Sequence, residues 1–283
     1  MRWCLSIIAA LMSMACSVLP DETTTTTLCF SAAPTGTKAS ANLGDYFSKL
    51  NLMLFDDHGD KMMDKVKTQT VEEGGDFGSV SLALAEGRYT VVAVGHSSKV
   101  SATIKSPEMV QFTASEGEKL TDTFCYFGTI EVGKESKKYS LTMERRVAMF
   151  RLVLTDTSTP EAVAKMKFDY TGGSANFNPC TGLGCTKSTQ SESRSVSENR
   201  VYEIYTFPYL SETGTLKITV SALDKEGGII RQRVFTDVPV TVNQITTYKG
   251  PFFSEGDGNV SQSGFGFLVD GDWDEETVHQ FTF

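Results

Sequence analysis

The sequence predicts an all-β protein built as two β-sandwich domains in tandem. Three observations carry this reading. Short segments rich in β-branched and aromatic residues recur along the chain, some alternating and some continuously apolar. Gly-, Asp- and Asn-containing turn signals separate them. Helical periodicity is weak throughout, and only Glu161 to Met166 suggests a single helical turn.

The first strand candidate is Leu28 to Ala32 (LCFSA). Leu50 to Phe55 (LNLMLF) is an apolar run closed by the turn Asp56-Asp57-His58-Gly59. Ser79 to Leu84 (SVSLAL) alternates with period two, Glu86-Gly87 turns the chain, and Arg88 to Val94 (RYTVVAV) follows as a strand. Phe124 to Val132 and Tyr139 to Met143 complete the first set. A break near Met143 separates an N-terminal domain, 28–143, from a C-terminal domain, 144–283. The second set opens with Arg145 to Thr155 (RRVAMFRLVLT) and continues through 164–170, 201–207, 215–223 and 229–235. Asp224 to Gly228 (DKEGG) reads as the hairpin turn between the last two. Residues 171–200 are rich in Gly, Ser, Asn and Thr and read as a long surface loop.

The chain start has the pattern of an export signal. Met1-Arg2 is a short positive region, and Leu5 to Met14 is a ten-residue uncharged stretch. That stretch is too short to span roughly 30 Å of hydrocarbon as a helix. Ala15 before Cys16 resembles a bacterial lipobox, although Ser13 stands where that pattern prefers leucine. Residues 1–15 are therefore read as a signal peptide and Cys16 as the lipidation site. Each buried acyl methylene would add roughly 0.8 kcal/mol to membrane anchoring. Residues 16–27, including the threonine-rich PDETTTTT, read as a lipidated tether.

A net charge of −9 argues against nucleic acid and against a basic membrane-binding surface. Six cysteines are present; Cys4 leaves with the signal and Cys16 takes the lipid. Cys29, Cys125, Cys180 and Cys185 remain, and outside the cytoplasm they could pair in three ways. Cys180 and Cys185 flank a short Gly-containing loop and are candidates for a local disulfide. No CxxC pair with a nearby histidine offers a zinc site. His58, His96 and His279 lie far apart, and no nucleophile-elbow, HExxH or phosphate-loop pattern occurs. The acidic clusters Asp56 to Asp60 and Asp270 to Glu276 fit no EF-hand loop. No catalytic residue, metal or cofactor is expected.

The signal with Cys16, LNLMLFDDHGD, EGRYTVVAVGHS, MERRVAMFRLVLTD, and VPVTVNQITTYKGPFF with the late Trp273-Asp274 occur in an order that resembles the fimbrillins. These are fimbrial subunits of Bacteroidales made as lipoproteins; the resemblance covers most of the mature chain and is nearest the anchor and accessory branch. It implies two transthyretin-like sandwich domains, an outer-membrane lipoprotein exposed at the cell surface, and assembly with other fimbrial subunits by strand exchange. It further implies cleavage by a trypsin-like protease behind the first strand. Behind Leu28 to Ala32 the only basic residues before the next strand are Lys38 and Lys49, and Lys38 sits in a turn-rich loop. The family's processing is typically at arginine, and this interval has none. Donor-strand candidates are Phe265, Phe267 and Val269, which alternate on one face, and Phe281 and Phe283 at the chain end.

Two functions compete. A fimbrial anchor or accessory subunit, involved in adhesion to host or bacterial surface ligands, predicts two sandwiches and no enzymatic site. A surface glycan- or ligand-binding lipoprotein predicts an exposed aromatic platform, for which Trp273 is the sole mature tryptophan.

Overall fold

The computed structural model describes residues 22–33, 42–112, 120–253, 261–268 and 273–282, with only the backbone given over 261–268. Cys16, Lys38, Val269 and Phe283 lie outside the described residues. The chain is all-β, with short 3-10 turns and no α-helix among the described residues. The first half carries β1 (Thr23–Ala33), β2 (Lys49–Phe55), β3 (Lys67–Thr70), β4 (Ser79–Ala85), β5 (Gly87–His96), β6 (Ala102–Ser106), β7 (Met109–Phe112), β8 (Phe124–Val132) and β9 (Lys137–Arg145). The second half begins with β10 (Ala148–Leu154), β11 (Lys165–Thr171), β12 (Gly173–Ser174), β13 (Asn176–Phe177), β14 (Gln190–Ser195) and β15 (Val201–Pro208). It ends with β16 (Thr213–Leu223), β17 (Ile229–Thr241), β18 (Gln244–Gly250), β19 (Ser261–Leu268) and β20 (Glu275–Thr282).

A seven-stranded sheet runs β3-β2-β5-β8-β9-β1-β4. β8 pairs with β5 from Gly87 to Gly95, but with β9 only at Phe124↔Arg145 and Cys125↔Glu144. The sheet therefore folds over at that seam. Its two wings enclose Leu28, Phe30, Leu52, Leu54, Leu82, Val91, Phe124 and Met143. In the second half, a six-stranded sheet, β12-β15-β10-β18-β20-β19, faces a four-stranded sheet, β14-β11-β16-β17. Between them lie Phe150, Leu152, Phe168, Ile204, Ile218, Val220, Phe235, Tyr248 and Phe281.

A third apolar cluster belongs to both halves. Met53, Phe55, Val92, Val94, Val110 and Phe112 meet Met149, Phe177, Phe207, Ile245 and Trp273 there. This explains two unusual runs. LNLMLF and VVAV are continuously apolar because β2 and β5 are covered on both faces. Leu52 and Leu54 turn to one cluster while Met53 and Phe55 turn to the other. Val91 to Val94 are all fully buried for the same reason.

Two expectations are corrected. The tether does not extend to Thr27: Thr23 to Thr27 form the start of β1, paired along their length with β4 and, from Thr26 on, also with β9. Threonine is β-branched and suits a strand wherever neighbours supply ladder bonds, so the polar composition misled. Residues 171–200 are not a surface loop either. They hold β12, β13 and β14, and they bury Ser174, Phe177, Gln190 and Glu192. The period-two signal is absent because what this segment buries is largely polar. The suggested turn at Glu161 to Met166 reduces to a bond from Val163 N–H to Pro160 O, and Lys165 already begins β11. The Asp224 to Gly228 turn is observed, closed by Asp224 N–H to Gly228 O at 2.9 Å.

His96 ends β5 and is fully buried. Thr68 donates to Asn51 Oδ1, so the Asn51 amide nitrogen donates to His96 Nε2 at 2.9 Å and the ring is neutral. Burial, with a smaller contribution from Lys49, pushes its pKa from 6.5 to about 4. Between those values the unfolded chain binds the proton and the folded chain does not. Stability is therefore complete above pH 6.5 and falls as the pH drops toward about 4, with an upper size of about 3 kcal/mol. Urea midpoints from pH 7.5 to 4 should show this slope, and His96→Gln should flatten it.

Candidate functional site

β1 is internal to its sheet. It runs antiparallel to β4 (Leu28↔Val80) and parallel to β9 (Phe30↔Leu141). Thr26, Leu28, Phe30 and Ala32 point inward, and Phe30 meets Tyr126 edge-on at 6.3 Å. Thr25, Thr27, Cys29 and Ser31 point outward, where hydroxyls bridge the strands, as in Thr27 with Ser81 at 3.0 Å. The one poor fit is Thr26, whose buried hydroxyl has no partner. An unmatched buried hydroxyl costs about 1–3 kcal/mol. Thr26→Val should therefore raise the unfolding free energy by about 1 kcal/mol in urea titration, and an unchanged or lowered value would contradict this account.

The junction between the halves is built on Arg145, the last residue of β9, whose side chain is 1% exposed. Its Nε and second terminal nitrogen donate to the two carboxylate oxygens of Asp122 at 2.7 and 2.8 Å. Its other terminal nitrogen donates to Asn243 Oδ1 at 2.8 Å. The guanidinium lies 3.9 Å from the Trp273 ring and 4.9 Å from Phe124. One side chain thus ties β8 and β9 to the β17–β18 turn and the approach to β20. Trp273 is buried in this stack at 5% exposure, so it does not form an exposed binding platform. The second tie is Phe177. It is fully buried, stacks on Phe207 at 4.5 Å, and belongs to a strand that pairs with β7 of the other half.

Phe177 opens a hairpin whose tip carries the two cysteines. Asn178 opposes Leu183, and Asn176 opposes Cys185, while Asn178 Oδ1 accepts the Cys180 N–H. Gly182, at φ +74, lets the tip lie against the Arg146 guanidinium. Cys180 and Cys185 are both free thiols here, as are Cys29 and Cys125. Cys185 lies opposite Asn176, two ladder positions below the Asn178–Leu183 rung, whereas Cys180 lies in the turn beyond it. Cys125 is fully buried, and burial pushes its thiol up to about 12.

At the chain end, β20 pairs with β18 in parallel and with the edge strand β19. Phe281 is buried in its own core, edge-on to Phe235 at 5.3 Å, so it completes this chain's own sheet. Phe265 and Phe267 lie on β19 opposite His279 and Thr277. His279 is buried near Tyr248, and His58 is exposed in its turn beside Asp57. Among the described residues no group of three or more His, Cys, Asp or Glu side chains is placed to hold a metal.

The sequence profile of the fimbrillin-A associated anchor proteins Mfa1 and Mfa2 matches residues 14–279. The chain belongs to this family. The fimbrillin resemblance read from the residues agrees with that membership. Solved structures resemble this anchor-family chain at low identity. A candidate polysaccharide-binding protein of Bacteroides thetaiotaomicron is 10% identical, covers 74% of this chain and 79% of its own, and gives a TM-score of 0.51. A candidate adhesin of Bacteroides ovatus is 13% identical, with 74% and 75% covered and a TM-score of 0.50. The fimbrial anchor protein Mfa2 of Porphyromonas gingivalis is 12% identical, with 76% and 82% covered and a TM-score of 0.46. At such identities the likeness concerns the fold alone. No curated protein sequence matches the chain.

Neither Arg145 nor Phe177 was singled out by sequence reasoning as joining the halves of this anchor-family chain. The available signals were a pair of arginines opening an apolar run and a lone phenylalanine inside a polar stretch.

Proposed function

We propose that this chain is a structural subunit of a cell-surface fimbria, an anchor or accessory component that contributes to adhesion and contacts other fimbrial subunits. The observation that carries the reading is the family match over residues 14–279. On this reading the halves are two transthyretin-like β-sandwich domains, divided near residue 143. Their separate apolar clusters support that view, although a third cluster joins them.

Cys16 would carry the lipid that holds the protein at the outer membrane. From Cys16 to Thr23 there are seven residue steps, which span at most about 25 Å. The folded body would then stand close to the membrane, as the foot of a fibre must. Strand exchange is consistent with the place of β1. A sheet deprived of it would expose the facing edges of β4 and β9 and an apolar slot where Leu28, Phe30 and Ala32 sit. An anchor that escapes cleavage at Lys38 would keep both lipid and first strand, leaving its own slot closed.

Cys16→Ala tests the anchor. In the native bacterium, wild type should take up labelled palmitate and hold its fibres on the cell. The variant should take up none and release fibres into the medium. Fibres that stay attached in an unlabelled variant would overturn the anchor reading.

A further inference from the structure

A cleft of about 500 Å³ opens along the free edge of β15, with β14 and its following turn forming the far wall and Thr121 of the first half forming the rim. Its chemistry begins with the β10–β15 ladder. Leu154 N–H donates to Arg200 O at 3.0 Å, and the register continues as Val153↔Val201 and Arg151↔Glu203. Main-chain groups alternate along an antiparallel strand, so Tyr202 and Ile204 are spent on β10. Val201, Glu203 and Tyr205 turn theirs to the open side, because β12 covers only Phe207 and Pro208. Two of these outward groups are taken by side chains: Asn199 Oδ1 accepts Val201 N–H at 3.1 Å, and Arg194 donates to Glu203 O at 3.1 Å. The Tyr170 hydroxyl, whose one proton goes to Glu192, stands 3.2 Å from Tyr205 O. The Glu203 and Tyr205 N–H groups are left facing the cleft.

The side chains that line the cleft are held from behind. Arg194 is gripped by Glu192 at 2.6 Å, a carboxylate with no exposed side-chain surface, which Tyr170 in turn bonds at 2.5 Å. Glu203 is held by Arg151 at 2.9 Å, and Arg151 also meets Glu276 at 3.3 Å. Arg194 thus has its counter-charge in Glu192, and Glu203 shares that of Arg151 with Glu276. Such a wall leaves no cation free for an anionic ligand. It offers fixed donors from Glu203 N–H, Tyr205 N–H and Arg194. It offers acceptors from the Glu203 carboxylate and the hydroxyls of Ser195 and Ser197, with the Tyr205 ring as an apolar flank. The volume and the few convergent polar groups suit a small ligand in a preformed site.

We propose that this cleft is a binding site for a neutral saccharide of one or two rings. Sugar hydroxyls both donate and accept, so vicinal pairs match a wall that alternates N–H donors with carboxylate and hydroxyl acceptors. Because Val201 N–H and Glu203 O are already bonded and the Tyr170 hydroxyl stands 3.2 Å from Tyr205 O, an added peptide strand would find an interrupted, one-sided ladder. That asymmetry favours a polyol over β-augmentation. The site is separate from fibre assembly, so its failure would leave the subunit reading untouched.

The test uses the full mature chain, isotope-labelled, titrated with lactose, cellobiose and N,N′-diacetylchitobiose. Inorganic phosphate and an uncharged extended peptide serve as comparison probes. At least one disaccharide should shift the Glu203 and Tyr205 amide resonances saturably. Ser195→Trp, at an exposed position on the wall, should abolish that shift while leaving the rest of the spectrum and the urea midpoint unchanged. Glu203→Gln should weaken binding at least tenfold. The proposal fails if none of the disaccharides moves those two amides, if phosphate or the peptide moves them instead, or if Ser195→Trp leaves the sugar response intact.

Discussion

Arg145→Met should lower the unfolding free energy by about 3–5 kcal/mol, the range for breaking a buried charge pair from one side. The size follows from what is stranded. Asp122 loses both bonds to the guanidinium and Asn243 loses its donor, while Trp273 and Phe124 lose the cation between them. Methionine fills much of the volume but supplies no donors, so the desolvation of Asp122 is no longer offset. Arg145→Lys keeps the charge and loses the two-pronged geometry, and it should fall between the two. Trp273 is the sole tryptophan beyond position 3, so its fluorescence reports this junction directly. A red-shifted emission below the unfolding transition would show the junction opening before the sheets melt. A Met variant as stable as wild type would mean that the bonds to Arg145 add nothing net.

Phe177→Ala should cost a comparable amount, about 3–5 kcal/mol, for a fully buried aromatic whose cavity cannot collapse. The ring is stacked on Phe207, and Phe207 in turn lies against Phe112 at 6.1 Å. The strand that bears it is only two residues long and owes its place to this side chain and to β7. Truncation should therefore also release the 176–185 hairpin, which limited proteolysis would detect as a new cut between 171 and 190. Phe177→Leu, which keeps most of the volume, should cost less than half as much. If alanine at 177 left both stability and protease resistance unchanged, the hairpin would be held by its hydrogen bonds alone.

Much of the fold was legible because the strands announce themselves. Phe124–Val132 was read with its observed bounds, and β2, β4, β5, β9, β10, β11, β15 and β16 were located to within a few residues. Those segments carry the period-two or continuous apolar signal that a sheet needs. β17 was read only to residue 235, because Pro239 and the positive φ of Asp237 look like a stop when the continuing edge cannot be seen. The short strands β3, β6 and β7, and β18, were not read as strands at all. Two further errors fell where burial does not require apolar residues. Thr23 to Thr27 form a strand through backbone pairing with β4, joined by β9 from Thr26 on. Gln190 and Glu192 are buried because Tyr170 and Arg194 complete their hydrogen bonds. Neither kind of partner is near in sequence, so neither leaves a local pattern.

By itself the sequence determined that the chain is all-β, where nine of the twenty described strands lie to within a few residues, and that it resembles the fimbrillins. These depend on alternation, turn chemistry and motif order, all written within a few residues of one another. Only the tertiary structure decided that β1 is an internal strand, that Trp273 is a buried stacking partner rather than a surface platform, and that the two halves share a core. Each of those depends on contacts between residues roughly 50 to 130 positions apart. Local propensity says which face of a strand is apolar. It does not say which distant surface will cover that face.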